Sequence, residues 1–220
     1  MKSDFKALLF DLDGTLADTI PAIAEAINMT LANLGYPSRT EDEIRSFIGR
    51  GPKHLITKSL GLNTQNSNDE LVSEALKLYD KMYAETYMHT DKLYDGIYNA
   101  LVALSKKYKI AVLSNKQDEY VKALVNRLLP DGICLIARGS LAGVPAKPEP
   151  TAALSLISDL GVKPDECILI GDSEIDIMTA KNARIGILSV SWGYSEKARL
   201  LSFGDIDIID SPNDLIEYFK

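Results

Sequence analysis

Ala7-Leu8-Leu9-Phe10-Asp11-Leu12-Asp13-Gly14-Thr15 is the stretch from which the rest of this chain is read. Its four leading apolar residues make a short strand buried on both faces. Side chains alternate along a strand, so Asp11 and Asp13, two positions apart, point the same way. Like charges that close repel and perturb each other's ionisation. A fold keeps such a pair where a cation or a reaction needs it. Gly14 then permits a tight turn, and Thr15 supplies a hydroxyl for substrate. The set reads as a phosphate and divalent-metal site with Asp11 as the nucleophile. An ordinary Asp-Gly turn after an edge strand explains the same residues, so the downstream sequence has to decide.

Downstream, strand-like and helix-like segments alternate. Short apolar runs predict strands over 109–113, 133–137, 166–170, 185–190 and 207–209. Helical spacing predicts helices over 96–107, 117–129, 150–160, 173–183 and 212–219. Continuous apolar strands separated by helices imply a parallel sheet covered on both faces, an α/β Rossmann-like core. Ligands in such sheets bind beyond the carboxyl ends of the strands.

Between the first strand and this region the pattern is purely helical. Ile20, Ile23, Ile27 and Leu31 mark a helix over 18–34, with Asp18 as its N-cap and Gly35 as its stop. Thr40 and Glu43 have capping-box spacing ahead of Ile44, Phe47 and Ile48. A further helix runs from Pro52 to Gly61, and a long one over 69–88 after a polar loop at 63–68. Tyr79, Tyr83 and Tyr87 recur every four residues and read as packing along one face. Residues 17–92 are therefore expected to be an all-helical cap domain inserted into a core made of 1–16 and 93–220.

The 220 residues, 46% hydrophobic and 25% charged, suit one large domain or a domain with an insert. A net charge of −7 argues against general nucleic-acid binding. It also means that an anionic substrate needs local positive groups to overcome the global field. No apolar stretch has the length of a membrane span, and the first residues lack a secretory pattern, so the expected location is the cytoplasm. Cys134 and Cys167 read as buried thiols.

Three further constellations follow strands or precede helices. Ser114-Asn115-Lys116 comes directly after one strand. Its hydroxyl can donate to a phosphoryl oxygen, and a turn with a helix cap explains it equally. In Lys147-Pro148-Glu149-Pro150, Pro148 restricts Lys147 and can hold its ammonium in place; a solvated loop lysine is the plain alternative. Gly171-Asp172-Ser173-Glu174-Ile175-Asp176 ends another strand and starts a helix. Asp172 faces the same rim as Asp11 and reads as a metal ligand. Asp176 suits either the metal or the helix N-terminus.

Carboxylate pair, hydroxyl, lysine and carboxylate, in that order, resemble the four motifs of the haloacid dehalogenase superfamily across nearly the whole chain. The nearest likeness is to its phosphoglycolate phosphatase-like branch. Asp18 and Pro21 after the first motif, Ile48-Gly49, Ser114-Asn115-Lys116 and Trp192-Gly193-Tyr194 all fit that branch. The resemblance implies that Asp11 attacks phosphorus and forms an aspartyl-phosphate. It implies that Asp13 protonates the leaving oxygen and later deprotonates water. Ser114 and Lys147 would hold the phosphoryl group, with Asn115 and Thr15 at the substrate. Mg²⁺ would sit on Asp11, the backbone carbonyl of Asp13 and Asp172, with Asp176 nearby. The chain departs from the family at Arg184, where a helix-ending glycine is usual, and at Asp95-Gly96, where Pro-Gly is common.

Electrostatics agrees with these roles. A carboxylate and one phosphate charge 4 Å apart repel by about 1 kcal/mol in water and about 4 at an effective dielectric of 20. Mg²⁺ and Lys147 bring three positive charges, enough to reverse that sign. Arg50, after Ile48-Gly49, can reach a substrate carboxylate with a bidentate fork, or be a solvated arginine. His54 and His89 read as surface or interface residues.

The expected function is Mg²⁺-dependent hydrolysis of a small phosphomonoester, with 2-phosphoglycolate as the leading substrate. A sugar phosphomutase and an inorganic pyrophosphatase share the motifs. A phosphoaspartate signalling module also uses an acidic cluster, a hydroxyl and a lysine. Such modules carry the acceptor on a middle strand and have no helical insert, so this reading ranks below the enzymes. The expected partner is a small phosphorylated metabolite, with no nucleic acid and no membrane, for a monomer or small homo-oligomer.

Overall fold

A computed structural model of the chain describes residues 4–63, 68–90 and 92–220. Most of the polar loop expected over 63–68 and the side chain of His89 lie outside the described residues. Two compact units emerge: Met1–Ala17 with Leu93–Lys220, and Asp18–Lys92.

The first unit begins with β1 (Ala7–Phe10), every residue of which is buried. The chain leaves it through β2 (Ala17–Asp18). The second unit holds four helices: α1 (Ile20–Asn33), α2 (Glu41–Arg45), α3 (Pro52–Ser59) and α4 (Asp69–Thr90). Strand β3 (Lys92–Leu93) pairs with β2 in a two-stranded ribbon. No strand was expected over 17–92; two residues per strand are too few to show period-two patterning. Asp18 lies in β2, and Thr19 takes the N-cap position of α1 expected for it. The Thr40–Glu43 capping box forms with both reciprocal hydrogen bonds.

In the helical unit, α1 and α4 are the main packing partners. Ile20, Ile23, Ile27 and Leu31 of α1 are buried, as are Val72, Ala75, Tyr79 and Tyr83 of α4. The rings of Tyr79 and Tyr83 stack at 5.6 Å, and those of Tyr83 and Tyr87 sit at 5.7 Å. These tyrosines share one face because four residues are just over one helical turn.

The first unit continues through α5 (Ile97–Leu104), β4 (Lys109–Gln117), α6 (Asp118–Leu128), β5 (Cys134–Ser140) and α7 (Thr151–Asp159). It finishes with β6 (Cys167–Gly171), α8 (Glu174–Ala183), β7 (Gly186–Val190), α9 (Lys197–Leu201), β8 (Asp207–Ile209) and α10 (Asp214–Tyr218). The short helix α9 was not anticipated. The sheet has the order β5-β4-β1-β6-β7-β8, and its strand pairs are parallel. This is a Rossmann-like α/β sheet with its topological switch beside β1.

One face of β1 packs Ala7 and Leu9 with Ala111, Leu113, Cys167 and Leu169 against Ala153, Leu156, Ile157 and Ala180 of α7 and α8. Leu8 and Phe10, on the opposite face, are equally buried. Each large side chain so buried contributes about 1.5–3 kcal/mol. That anchors the strand against the charge repulsion at its carboxyl end.

Candidate active site

The register of the central strands brings the chemistry together. Phe10 pairs with Val112 of β4 on one side and with Ile170 of β6 on the other. Asp11 and Asp172 therefore emerge at the carboxyl ends of two adjacent strands, with Ser114 on the neighbouring β4. The Asp11 amide donates to the Ile170 carbonyl at 2.9 Å, which extends the ladder one residue into the site. Ser114 lies within β4 rather than after it. The strand continues to Gln117 through a register irregularity beyond Leu113.

Lys147 reaches the same place from the loop ahead of α7. Its Nζ lies 3.0 Å from Asp11 Oδ1 and 2.7 Å from Asp176 Oδ1, with 3% of its side chain exposed. Asp11, Asp172 and Asp176, all buried, each offer one oxygen, and these atoms lie within 4.8 Å of one another. Burial pushes Asp11 up to about 7; Lys147 opposes the shift, and Asp176 and Asp13 add to it. Burial also raises Asp172, to about 8, with help from the charges of Asp176 and Asp11. Burial by itself would lower Lys147, but Asp11 and Asp176 hold it above its ordinary value.

Three buried carboxylates against one ammonium leave surplus negative charge, which is costly away from water. Carboxylate oxygens are hard donors, and a divalent cation of the magnesium or calcium kind fits such a set. The acidic trio thus suits a metal, and it includes Asp176.

Other groups aim these side chains. Thr15 Oγ1 donates to Asp172 Oδ1 at 2.8 Å, and the Tyr194 amide donates to Asp172 Oδ2 at 2.7 Å. Trp192 Nε1 donates to the Thr15 carbonyl at 3.1 Å. A Cβ on Gly193 would stand 2.3 Å from Asp172 Cβ, so only glycine lets the loop approach this closely. Asn115 and Lys147 exchange two hydrogen bonds: Asn115 Nδ2 to the Lys147 carbonyl at 2.9 Å, and the Lys147 amide to Asn115 Oδ1 at 2.8 Å. Asp176 closes a capping box with Ser173 at the start of α8 and still reaches Lys147. Of the two roles read for Asp176, the helix cap is formed through one oxygen, while the other oxygen faces Lys147.

Thr15 and Asn115, expected at the substrate, hydrogen-bond to Asp172 and Lys147 and so orient the site's own groups. The Asp13 carboxylate is absent from the acidic trio. It pairs instead with Lys116, whose Nζ lies 2.6 Å from Asp13 Oδ1. Asp13 thus meets an ammonium while its charge still acts on Asp11. Arg50 belongs to the helical unit, exposed in the loop ahead of α3. The motif Ser114-Asn115-Lys116 by itself does not point to this pairing of Lys116. Its signal was its position two residues after Ser114 on a strand, hence on the same side.

A family model described as haloacid dehalogenase-like hydrolase matches residues 8–190, from β1 to the end of β7. The chain belongs to that family. Among curated relatives of this haloacid dehalogenase-like hydrolase, the phosphoglycolate phosphatase of Vibrio parahaemolyticus is 29% identical over 220 residues, which cover 98% of this chain and 96% of that protein. The phosphoglycolate phosphatase of Vibrio vulnificus is 31% identical over 199 residues, covering 88% and 87%. A crystal structure from Lactobacillus delbrueckii subsp. bulgaricus, of a protein provisionally named a phosphoglycolate phosphatase, gives a TM-score of 0.90 at 31% identity and covers 98% of each chain. Within the family, this hydrolase falls with the phosphoglycolate phosphatase-like branch, and it is a phosphatase for small phosphorylated substrates. Among the described residues, none of its helices is long and apolar enough to cross a membrane.

Proposed function

We propose that this phosphatase hydrolyses 2-phosphoglycolate, using Mg²⁺ and an aspartyl-phosphate intermediate on Asp11. The observation that carries the reading is the position of Lys147 Nζ, 3.0 Å from Asp11 Oδ1 at the edge of the buried acidic trio. An ammonium there holds an attacking carboxylate and the phosphoryl group together against their mutual repulsion.

In the first step, Asp11 forms a bond to phosphorus as the ester P–O bond breaks, and Asp13 protonates the departing glycolate oxygen. In the second, Asp13 takes a proton from water as the water oxygen attacks phosphorus. The Asp11–phosphorus bond breaks, releasing inorganic phosphate and restoring Asp11. Ser114 and Lys147 hold the phosphoryl oxygens throughout. Asp11, Asp172 and the Asp13 carbonyl would hold Mg²⁺, with Asp176 beside them, and the ion when bound supplies positive charge against the phosphate. Splitting one displacement into two lowers the barrier of each. Residues 17–92 serve as a cap that excludes bulk water and favours small substrates.

The test is a phosphate-release screen with and without Mg²⁺ on 2-phosphoglycolate, a hexose 1-phosphate and pyrophosphate. Release from 2-phosphoglycolate that requires the ion is expected. Isomerised hexose phosphate would mark a mutase instead, and preferred cleavage of pyrophosphate a pyrophosphatase.

A further inference from the structure

The two lysines of the site divide it. Lys147 stands on Asp11, on the side of the attack. Lys116 stands on Asp13, on the side of the departing oxygen. The Lys116 side chain is 7% exposed and that of Asp13 is 11% exposed. Lysines rarely give up that much hydration, and one that does so needs an anionic partner. The Lys116 backbone is also fixed. Its amide donates to Ser114 Oγ at 3.3 Å, and a Cβ on Gly139 of β5 would stand 2.5 Å from its carbonyl oxygen. The ammonium is therefore delivered to one place, not left to sample solvent.

We propose that Lys116 is a specificity residue that binds an anionic group on the leaving half of the substrate. The favoured substrates are then phosphomonoesters with a carboxylate one carbon from the ester oxygen. This deepens the phosphatase reading above and rests on it. The reach fits. Proton transfer from Asp13 places the ester oxygen about 2.7 Å from its carboxyl group. Lys116 Nζ is 2.6 Å from Asp13 Oδ1, so it lies within about 5 Å of the ester oxygen when Oδ1 carries the transferred proton. A carboxylate carbon separated from the ester oxygen by one methylene is about 2.4 Å away by ordinary bond lengths. With that span its oxygens can come within hydrogen-bond distance of Nζ. An ammonium carries three N–H donors and can serve two anionic partners at once. A carboxylate accepts a charge-assisted hydrogen bond from the ammonium and a neutral hydroxyl only a weaker one, so selectivity for charge follows.

The experiment compares kcat/KM for 2-phosphoglycolate and its neutral analogue 2-hydroxyethyl phosphate in the Mg²⁺-loaded full chain. It uses the wild type, Lys116→Met and Lys116→Arg. The wild type should prefer the carboxylate. Lys116→Met should lower kcat/KM on 2-phosphoglycolate about 100-fold more than on the neutral ester, mostly through KM. Lys116→Arg should recover most of the preference. Because both substrates are read on one protein sample, partial misfolding cancels in the ratio. Equal losses on the two substrates would mean that Lys116 serves Asp13 alone, which overturns the inference and leaves the phosphatase reading standing. A wild type without preference does the same. A wild type that releases phosphate from neither ester overturns both.

Discussion

Thr15 Oγ1 donates a 2.8 Å hydrogen bond to Asp172 Oδ1, joining residues 157 positions apart in the chain. With the Tyr194 amide on the other oxygen, the carboxylate is gripped from both sides. Groups that orient a metal ligand tune its affinity. Thr15→Val, which keeps the shape and removes the donor, should weaken divalent-cation binding about 10- to 100-fold. Calorimetric titration with Mg²⁺ measures this directly. Unchanged affinity would show that the hydrogen bond does not orient the ligand.

Gly193 presses on the same carboxylate. A methyl there would meet Asp172 Cβ at 2.3 Å and the Gly14 carbonyl oxygen at 2.4 Å. Backbone cannot yield as a flexible side chain can. Gly193→Ala should cost about 1–3 kcal/mol of stability by overpacking and should impair cation binding as well. Chemical denaturation with and without Mg²⁺ separates the two effects, and a variant as stable as the parent would contradict the crowding.

Asp11→Asn keeps the size of the side chain and removes its nucleophilic oxygen. Phosphate release should fall by on the order of 10⁴-fold or more, with far-ultraviolet circular dichroism unchanged. Residual turnover near the parent rate would refute the assignment of Asp11.

Burial raises Asp11 to about 7 and Asp172 to about 8, from ordinary values of 3.8. A raised carboxylate favours the folded state fully below its unfolded pKa and loses that contribution as pH climbs through the folded value. Without a divalent cation, these two groups should make the protein less stable as pH rises from about 4 to about 8. A cation needs the ionised carboxylates, so Mg²⁺ should raise the melting temperature more at pH 8 than at pH 6. Thermal melts at the two pH values, with and without Mg²⁺, provide the check. An equal rise at both would remove these groups from the ion's site.

Arg184 ends α8 at φ 56° and ψ 44°, the one non-glycine residue with positive φ among the described residues. The left-handed cap that glycine usually makes is formed here by arginine, against a backbone preference of about 1–2 kcal/mol. Glycine is looser when unfolded, which offsets part of this. Arg184→Gly should stabilise the protein by about 0.5–1 kcal/mol, with kcat/KM unchanged. Urea unfolding tests it, and a loss of stability would mean that the arginine side chain makes up for its backbone.

Local sequence was most informative where the physics is local. The run Ala7–Phe10 announced a strand buried on both faces because no residue in it could face water. Thr40 and Glu43 announced a helix start because the two partners lie three residues apart. The partners that the sequence does not reveal lie far away. Asn115 answers to Lys147, 32 positions on, and Lys116 to Asp13, 103 positions back. A hydroxyl or amide next to a phosphate motif looks the same in sequence whether it touches substrate or a neighbouring carboxylate.

From residue order alone came the strand and helix alternation, the helical insert and the types of group that gather at the strand ends, because periodicity and turn chemistry act over a few residues. The division of labour among those groups came from the tertiary structure. Parallel register beside β1 sets Asp11 and Asp176 against Lys147, with Asp172 close by, and turns Asp13 toward Lys116. Coulomb interactions and hydrogen bonds depend on distance through space, and that distance exists only once the sheet has formed.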